Sequence, residues 1–300
     1  MRPRRRIFDK TASFAALLAI LLSSLTAFRT YAGDNTASVI ADTLQSRPVT
    51  STYAIEIGGR HALSTYLSPL SYRGWNAALT GDWRKAMPSC PDHLLMHFNA
   101  SASLSRLLNP YGNALMIGFD AAFNWGMSWR HVFEPKLQVE AGADVGIDGG
   151  ALYLLRNGNN PVSALASAGL ALRAGISRPF RIGRLPIVVS DHVRLPSLNT
   201  FFSPQYGETY YEIYLGNHSG LANCGWWGNN FRIDNLLAVD LDFGRTAMRI
   251  GYRFNAYTSW VCNLNTHIFT HSFVIGIIPG GLGLKKRLPK APNRTIYAIY

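Results

Sequence analysis

The segment from Leu115 to Ile147 contains two long stretches in which apolar residues occupy every second position. The first apolar series runs from Leu115 to Trp129, and small or polar residues such as Gly118 and Asp120 lie between its members. Side chains on a β-strand point alternately to opposite faces, so each stretch predicts a strand with one apolar and one polar face. Strands of soluble sandwiches usually run only ~4–8 residues. The longer pattern here predicts a transmembrane β-barrel with an apolar outer face.

Residues 1–32 have the three parts of a secretory signal peptide. A basic segment comes first, an apolar run follows from about Phe14 to Ala27, and Thr30-Tyr31-Ala32 offers a cleavage site. A membrane anchor helix is the alternative, but a spanning helix needs ~20 apolar residues, more than this run contains. We therefore expect export through a cleaved leader, followed by a polar periplasmic lead-in over residues 33–51.

The net charge of +12 is concentrated at the two ends of the chain. The leader contributes +5 and the basic tail over residues 281–300 another +5, which leaves +2 for residues 33–280. A nucleic-acid interface needs a basic patch in the folded domain, so the sequence predicts no nucleic-acid partner. The three cysteines have no metal-site spacing, and we expect no cofactor.

After the leader, no segment approaches ~18 continuous apolar residues, so a membrane protein of this kind must cross the bilayer as a closed antiparallel barrel. The sequence predicts this all-β barrel over residues 52–280. Strand-like stretches separated by turn residues lie near 52–63, 71–86, 94–105, 115–129, 137–152, 163–177, 186–195, 208–216, 231–243, 246–258 and 266–278.

These stretches number eleven, whereas single-chain bacterial barrels have even strand counts. We predict twelve strands, with residues 294–300 of the tail as the twelfth. Ten is the alternative, if 186–195 is a loop.

Turn positions predict how two strand pairs align. A two-residue turn at Gly244-Arg245 would place Asp240 opposite Arg249 in the lumen. A loop over 154–159 would place Glu140 opposite Arg173. The same alternation predicts an outer apolar belt that contains Leu115, Ile117, Phe119, Phe123, Val139, Val145, Leu170, Leu172, Ile250 and Phe273.

Charged residues occur on the predicted inner faces of the strands. They could line a cation-preferring pore or act as paired acid and base groups. The alternative, which we favour, is a set of ion pairs that fills a narrow lumen. The candidates are Asp120, Glu140, Asp144, Arg173, Asp240, Arg249 and Arg253.

The run FSPQYGETYYE within residues 198–216 is the densest polar and aromatic cluster of the chain. Together with TYLSPLSYRG (65–74), MRIGYR (248–253) and FVIGI (273–277), it resembles an uncharacterised outer-membrane barrel family of Bacteroidetes-type bacteria, a domain of unknown function. The resemblance covers roughly residues 52–278. It implies a fold and an outer-membrane location, and it implies no activity or ligand.

The same run contains a cluster that could bind a glycan by ring stacking, or could be a structural corner in which Tyr hydroxyls tie the loop to Glu212. We favour the corner. The residues of this motif cluster are Tyr206, Gly207, Tyr210, Tyr211 and Glu212.

The sequence predicts an outer-membrane barrel with a structural, small-pore or binding role. The expected partners are outer-membrane lipid and a glycan or small solute. The alternatives are a lipid-modifying outer-membrane enzyme and a soluble periplasmic barrel. We expect no metal site, since His267 and His271 supply only two ligands on one strand face. An enzyme would need a serine and a histidine that meet across strands, so we expect no catalytic residues and favour a protein that is not an enzyme.

Overall fold

A computed structural model describes residues 45–133, 136–158, 160–282, 284, 294–295 and 298. The predicted signal peptide and most of the lead-in and basic tail lie outside these residues, so the predicted boundaries of the leader and tail stay predictions. Among the described residues, no helix is both long enough and apolar enough to cross a bilayer.

Long antiparallel strands dominate the described chain. Their bounds are β1 (Gln45–Ser46), β2 (Thr50–Ser64), β3 (Ser68–Ala86), β4 (Leu94–Leu108), β5 (Leu115–Phe133), β6 (Leu137–Leu154), β7 (Val162–Ile182), β8 (Leu185–Phe202), β9 (Ala222–Trp226), β10 (Asn230–Asp242), β11 (Thr246–Val261), β12 (Leu264–Pro279) and β13 (Arg294–Thr295). A five-residue helix, α1 (Tyr210–Tyr214), lies between β8 and β9. The two-residue strands β1 and β13 are not part of the main sheet.

The main sheet closes on itself into a barrel. Each strand from β2 to β8 pairs antiparallel with the next, β10 pairs with β11, β11 pairs with β12, and β12 pairs with β2. Strand β8 pairs with β9 along Leu198–Phe202 and with β10 along Ile187–Arg194, so β9 and β10 are two parts of one interrupted strand. The result is a closed antiparallel barrel of ten strands, which confirms the predicted fold class.

The two ends of the barrel carry different connections. The first barrel strand begins at Thr50 and the last ends at Pro279, both at one end, which we call the terminal rim. The opposite end, the loop rim, carries the longest connection, residues 203–221. Successive connections along the chain alternate between the two rims, because the strands are antiparallel throughout.

The preferred count of twelve strands is wrong, and the alternative count of ten is right. The reason given for ten strands, a loop at 186–195, does not hold. Residues 186–195 are the first part of β8, whereas 208–216 form a loop with α1. A capping box starts this helix: the Thr209 side chain accepts the Glu212 backbone N–H, and the Glu212 side chain accepts the Thr209 backbone N–H. In the tail, the described strand β13 has two residues and does not join the barrel.

The predicted apolar belt lies on the outer face of the barrel. Phe119 is 52% exposed, while Asp144 on the inner face is 2% exposed. All ten predicted belt residues are exposed or half-buried, and none is buried. The prediction is confirmed: the polar faces of the strands enclose the lumen.

The β10–β11 hairpin is as predicted. Gly244 and Arg245 form its two-residue turn, with Phe243 donating its backbone N–H to the Thr246 carbonyl at 3.0 Å. Gly244 has a φ of 99°, a conformation that a side chain would strain. Asp240 therefore pairs with Arg249, which confirms the predicted register.

The predicted β6–β7 register is wrong by two residues. Glu140 lies opposite Gly175, not Arg173, and Arg173 lies opposite Gly142. The loop is two residues longer than predicted, since Tyr153 pairs with Val162 across residues 154–161 rather than with residue 160 across 154–159. A shift of two residues leaves every side chain on its predicted face but changes each partner, because faces alternate with a period of two.

Candidate functional site: the lumen and the loop rim

Ion pairs fill the lumen toward the terminal rim. The carboxylate of Asp240 accepts two hydrogen bonds from Arg249, at 2.7 Å from Nε and 2.8 Å from Nη2. Both side chains are buried, at 1% and 4% exposed. This bidentate geometry is the strongest form of an Arg–carboxylate contact, and it holds β10 against β11.

A second group of ion pairs connects β6 to the neighbouring β7, to β8 and to the more distant β3. Asp144 accepts hydrogen bonds from Arg194 at 2.9 and 3.0 Å, and Arg173 lies 3.7 Å from it. Glu140 accepts from Arg84 at 3.2 Å and lies 2.8 Å from His192. The predicted Glu140–Arg173 pair is therefore replaced by two pairs that involve other strands.

A glycine makes room for the Glu140 contacts. Gly175 lies between Glu140 and His192 in the sheet, and a Cβ there would collide with both side chains. Any larger residue at this position would separate the carboxylate from the imidazole.

A third group lies closer to the middle of the barrel. Arg60 pairs with Asp120, which also accepts a hydrogen bond from the Ser103 hydroxyl at 3.1 Å. Arg253 bridges two carboxylates, Glu56 at 2.9 Å and Asp234 at 3.4 Å.

Every predicted lumen residue thus has an oppositely charged partner inside the barrel. Asp148, another carboxylate expected on the polar face of β6, pairs with Arg232. The lumen residues that were not predicted from the sequence are Glu56, Arg60, Asp82, Arg84, His192, Arg194, Arg232 and Asp234. The signal that could have found them is the same period-two alternation, since each lies on the inner face of its strand.

A cavity of about 160 Å³ lies in the middle of the lumen, lined by residues of this third group. The amide oxygens of Asn76 and Asn124 belong to side chains that line it, and neither oxygen has a hydrogen-bond partner among the described residues. Its charged lining includes both signs, with Arg60 and Arg253 beside Glu56. The cavity is therefore a polar and charge-compensated compartment.

An apolar layer lies in the lumen at the loop rim. Its members come from the rim ends of strands on several sides of the barrel and from two rim connections. They are Ala62, Leu67, Tyr72, Leu107, Ala114, Met116, Leu152, Leu154, Tyr257 and Ile268. Two of its members, Tyr257 and Ile268, also line the cavity.

Residues of the C-terminal segment cover parts of the terminal rim. Leu282 is buried against Val188, Ala247 and Ile278. Ala298 is buried against Ala86 and Leu95. In the described part of the chain, buried apolar residues therefore pack at each end of the barrel, and ion pairs lie between them in the lumen.

One serine and one histidine do meet across strands. Ser128 Oγ lies 3.2 Å from His97 Nδ1, on neighbouring strands β5 and β4. Both residues are 3% exposed, and His97 Nε2 has no partner among the described residues. A catalytic pair needs a group that orients the histidine and a path for the substrate, and this pair has neither in the described structure.

His267 and His271, the two histidines weighed as metal ligands and not expected to form a metal site, lie on the outer wall. His271 Nδ1 makes a hydrogen bond with the Tyr252 hydroxyl. Within the described chain, no group of three or more His, Cys, Asp or Glu residues could hold a metal ion.

The residues of the motif cluster lie in the connection between β8 and β9 at the loop rim, with contacts that differ from the predicted tie of a tyrosine hydroxyl to Glu212. The Tyr210 hydroxyl accepts the backbone N–H of Ala164 at 2.7 Å, and Glu212 caps α1 rather than binding a tyrosine. Gly207 turns the chain with a φ of 82°, while Tyr206 and Tyr211 are exposed.

A tyrosine from the neighbouring β2–β3 turn completes this corner. The Tyr66 hydroxyl donates to the carbonyl of Glu208 at 2.7 Å, and its ring lies edge-on to Tyr210. Partial burial, then Tyr210 and the carboxylates of Glu208 and Glu212, raise the pKa of Tyr66 to about 12. The neutral hydroxyl is thus favoured where it makes this hydrogen bond.

The solved structures that are similar to this chain include the following three. The transport unit of the autotransporter AIDA-I from Escherichia coli has 8% identity and a TM-score of 0.45, over 77% of this chain and 90% of that one. The outer membrane protease OmpT from Escherichia coli has 8% identity and a TM-score of 0.41, over 77% and 96%. The translocator domain of the autotransporter NalP from Neisseria meningitidis has 10% identity and a TM-score of 0.37, over 90% and 97%. These likenesses concern the fold alone.

A search of curated proteins finds no match to this sequence. A family described as "Protein of unknown function (DUF3316)" matches residues 14–287, which is most of the chain. The chain therefore belongs to the DUF3316 family of proteins of unknown function.

Proposed function

We propose that this protein is an outer-membrane β-barrel with a filled lumen and a structural or binding role. The outer wall supports a membrane location, because large apolar side chains such as Ile57, Phe119 and Leu172 are exposed around it. Exposed apolar surface of this extent marks contact with lipid or a partner. A closed barrel also satisfies every strand's backbone hydrogen bonds without water, as a bilayer requires.

The outer face of β3 supports the same location through its order of residue types. Arg73 and Trp75 lie near the loop rim, Trp83 and Lys85 near the terminal rim, and the exposed Leu79 lies between them. The two tryptophans are separated by about 26 Å along the strand at ~3.3 Å per residue. A strand tilt of 35–45° reduces this to about 20 Å of height, close to the ~25 Å apolar band of outer-membrane barrels.

The lengths of the connections support an orientation. Outer-membrane barrels have short periplasmic turns and longer extracellular loops. The longest connection, residues 203–221, lies at the loop rim, so this rim would face the exterior and the terminal rim the periplasm. Export by the predicted signal peptide and the Bacteroidetes-type origin remain parts of this proposal.

A filled lumen is the observation that carries the proposed role. The pairs Asp240–Arg249 and Asp144–Arg194 occupy the section that a channel would need, and the apolar layer lies across the loop rim. Burying so many charges is tolerated only where each has a partner, and an open channel would leave them hydrated instead. The arrangement supports a barrel that does not conduct through a wide pore.

Planar-bilayer conductance tests this proposal. The refolded protein, verified as inserted by its heat-modifiable gel shift, should give no steady ionic current, while a general porin in the same membrane does. A reproducible open channel in the inserted protein would contradict the filled lumen and would restore the small-pore alternative.

Two places could serve a binding role, beside the lipid that would surround the wall. The mid-lumen cavity of about 160 Å³ has the size and polarity for a small polar solute. The exposed Tyr206 and Tyr211 at the loop rim present ring faces on which a glycan could stack. Calorimetric titration of the inserted protein with small polyols and with oligosaccharides distinguishes these two, since Tyr211→Ala would remove only glycan binding.

A lipid-modifying enzyme is the second candidate, and the Ser128–His97 contact is the observation in its favour. Phospholipid hydrolysis should be absent from the refolded protein. If hydrolysis is found, the enzyme candidate replaces the binding role only when Ser128→Ala abolishes the activity. The control is Ser105→Ala, which changes another buried serine of the lumen and must leave the activity in place.

A further inference from the structure

Four neighbouring strands carry basic or titratable side chains on the outer wall near the loop rim. They are His267 on β12, His61 on β2, Arg73 on β3 and Arg106 on β4, which we call the basic cluster. His61 lies directly opposite Arg73 in the sheet, and Arg106 lies opposite Trp75. Arg73 and Arg106 are thus diagonal neighbours, with Cβ atoms separated by about 7–8 Å.

No carboxylate shares this face. The acidic residues of the four strands, Glu56 and Asp82, point into the lumen and pair with Arg253 and Arg84. None of the ion pairs among the described residues includes Arg73 or Arg106. The Arg73 and Arg106 side chains are exposed and have no ion-pair partner in the described part of the chain, although every predicted lumen charge has one.

An apolar wall begins directly beside the cluster, toward the terminal rim. Trp75 and Leu104 are the next outward side chains after Arg73 and Arg106 on their strands, and both are exposed. Ile57 on β2 lies opposite Ala77 on β3, and Phe273 on β12 lies opposite Ile57. The exposed Ile57 and Phe273 therefore continue the apolar surface around the barrel. The outer wall here is therefore cationic at the rim and apolar below it.

We propose that the basic cluster binds the phosphate group of an anionic lipid in the leaflet at the loop rim, while the lipid's acyl chains lie along the apolar wall. This inference rests on the membrane location proposed above. Two arginines at this separation can each donate in a bidentate manner to one phosphate, and Arg is suited to such contacts because its guanidinium is planar and always charged. A free anion would gain nothing from the apolar wall, so the order of cation and wall favours a lipid.

Native mass spectrometry of the refolded protein in mild detergent tests the proposal. The probes are diphosphorylated lipid A, the same lipid after removal of its phosphates, and inorganic phosphate. The variants are Arg73→Gln combined with Arg106→Gln, and Arg178→Gln as the control. Arg178 is also an exposed outward arginine, but it lies near the terminal rim, above the Phe180 ring.

The wild type should bind the phosphorylated lipid at least about tenfold more tightly than the dephosphorylated one, in line with the strength of charge-assisted hydrogen bonds. The double variant should lose this preference, and Arg178→Gln should keep it. An equal preference in the double variant overturns the proposal, as does equal binding of inorganic phosphate and lipid. A wild type that fails to insert into detergent or vesicles at all would instead contradict the proposed membrane location.

Discussion

The Asp240–Arg249 pair allows the sharpest test of the ionic lumen. Replacing Arg249 with Gln leaves the Asp240 carboxylate, 1% exposed, without either of its hydrogen bonds at 2.7 and 2.8 Å. Removing one partner of a buried pair typically costs about 3–5 kcal/mol, because the remaining charge stays buried and unpaired. Such a loss is a large fraction of the roughly 5–15 kcal/mol that stabilises most folded proteins.

A matched control lies in the same hairpin. Arg245 is an exposed arginine in the β10–β11 turn, and it makes none of the ion pairs found among the described residues. Arg245→Gln should change stability by less than about 0.5 kcal/mol, as surface substitutions usually do. The contrast between the two Arg→Gln variants therefore isolates burial and pairing from the change of residue type.

Reversible urea unfolding in lipid vesicles, followed by tryptophan fluorescence, measures both losses. Asp240→Asn and the double variant with Arg249→Gln complete a double-mutant cycle, which we expect to show a coupling of at least about 1 kcal/mol. Additive losses, or equal losses for Arg249→Gln and Arg245→Gln, would refute the argument that this pair is a desolvated structural contact.

Three further predictions concern the loop rim and the second ionic group. Thr209→Ala removes the cap of α1 and should cost about 1 kcal/mol of local stability, so limited proteolysis within 203–221 should be faster than in Thr209→Ser. Because the folded pKa of Tyr66 is about 12 against an ordinary 10.0, its stabilising contribution is complete below pH 10.0 and declines as pH rises to about 12. Thermal unfolding of Tyr66→Phe should therefore depend less on pH than that of the wild type across this interval, and equal dependence would contradict the assignment. Glu140→Ala leaves His192 without its carboxylate and Arg84 with Asp82 alone, and it should lower the melting temperature in detergent far more than Glu212→Gln does.

The period-two pattern predicts faces well because it depends only on strand geometry. It placed Asp120 and Asp144 in the lumen and Phe119 on the outer wall without any knowledge of the neighbouring strands. The Gly244-Arg245 turn also predicted its register, since a two-residue turn leaves no freedom in how the strands align.

Partners were harder to predict than faces. Eight residues, 154–161, separate the paired Tyr153 and Val162, whereas the predicted loop over 154–159 has six. The faces are the same after a shift by two, so the sequence pattern alone did not distinguish Arg173 from Gly175 as the residue opposite Glu140. Its observed contacts to Arg84 and His192 come from strands remote in sequence, and they depend on how the barrel closes. The strand predicted at 208–216 failed because its aromatic residues suit a strand, while the Thr209–Glu212 capping signal was not weighed.

Site-directed spin labelling in lipid vesicles tests the central claim, a barrel embedded in a bilayer, most directly. After Cys90, Cys224 and Cys262 are replaced with serine, a label at Phe119 or Ile57 should be more accessible to oxygen than to a water-soluble nickel chelate. A label at Tyr111, exposed in a loop-rim connection, should show the opposite preference. Equal access of the nickel chelate to Phe119, Ile57 and Tyr111 would show that the apolar wall faces water, and it would contradict the account.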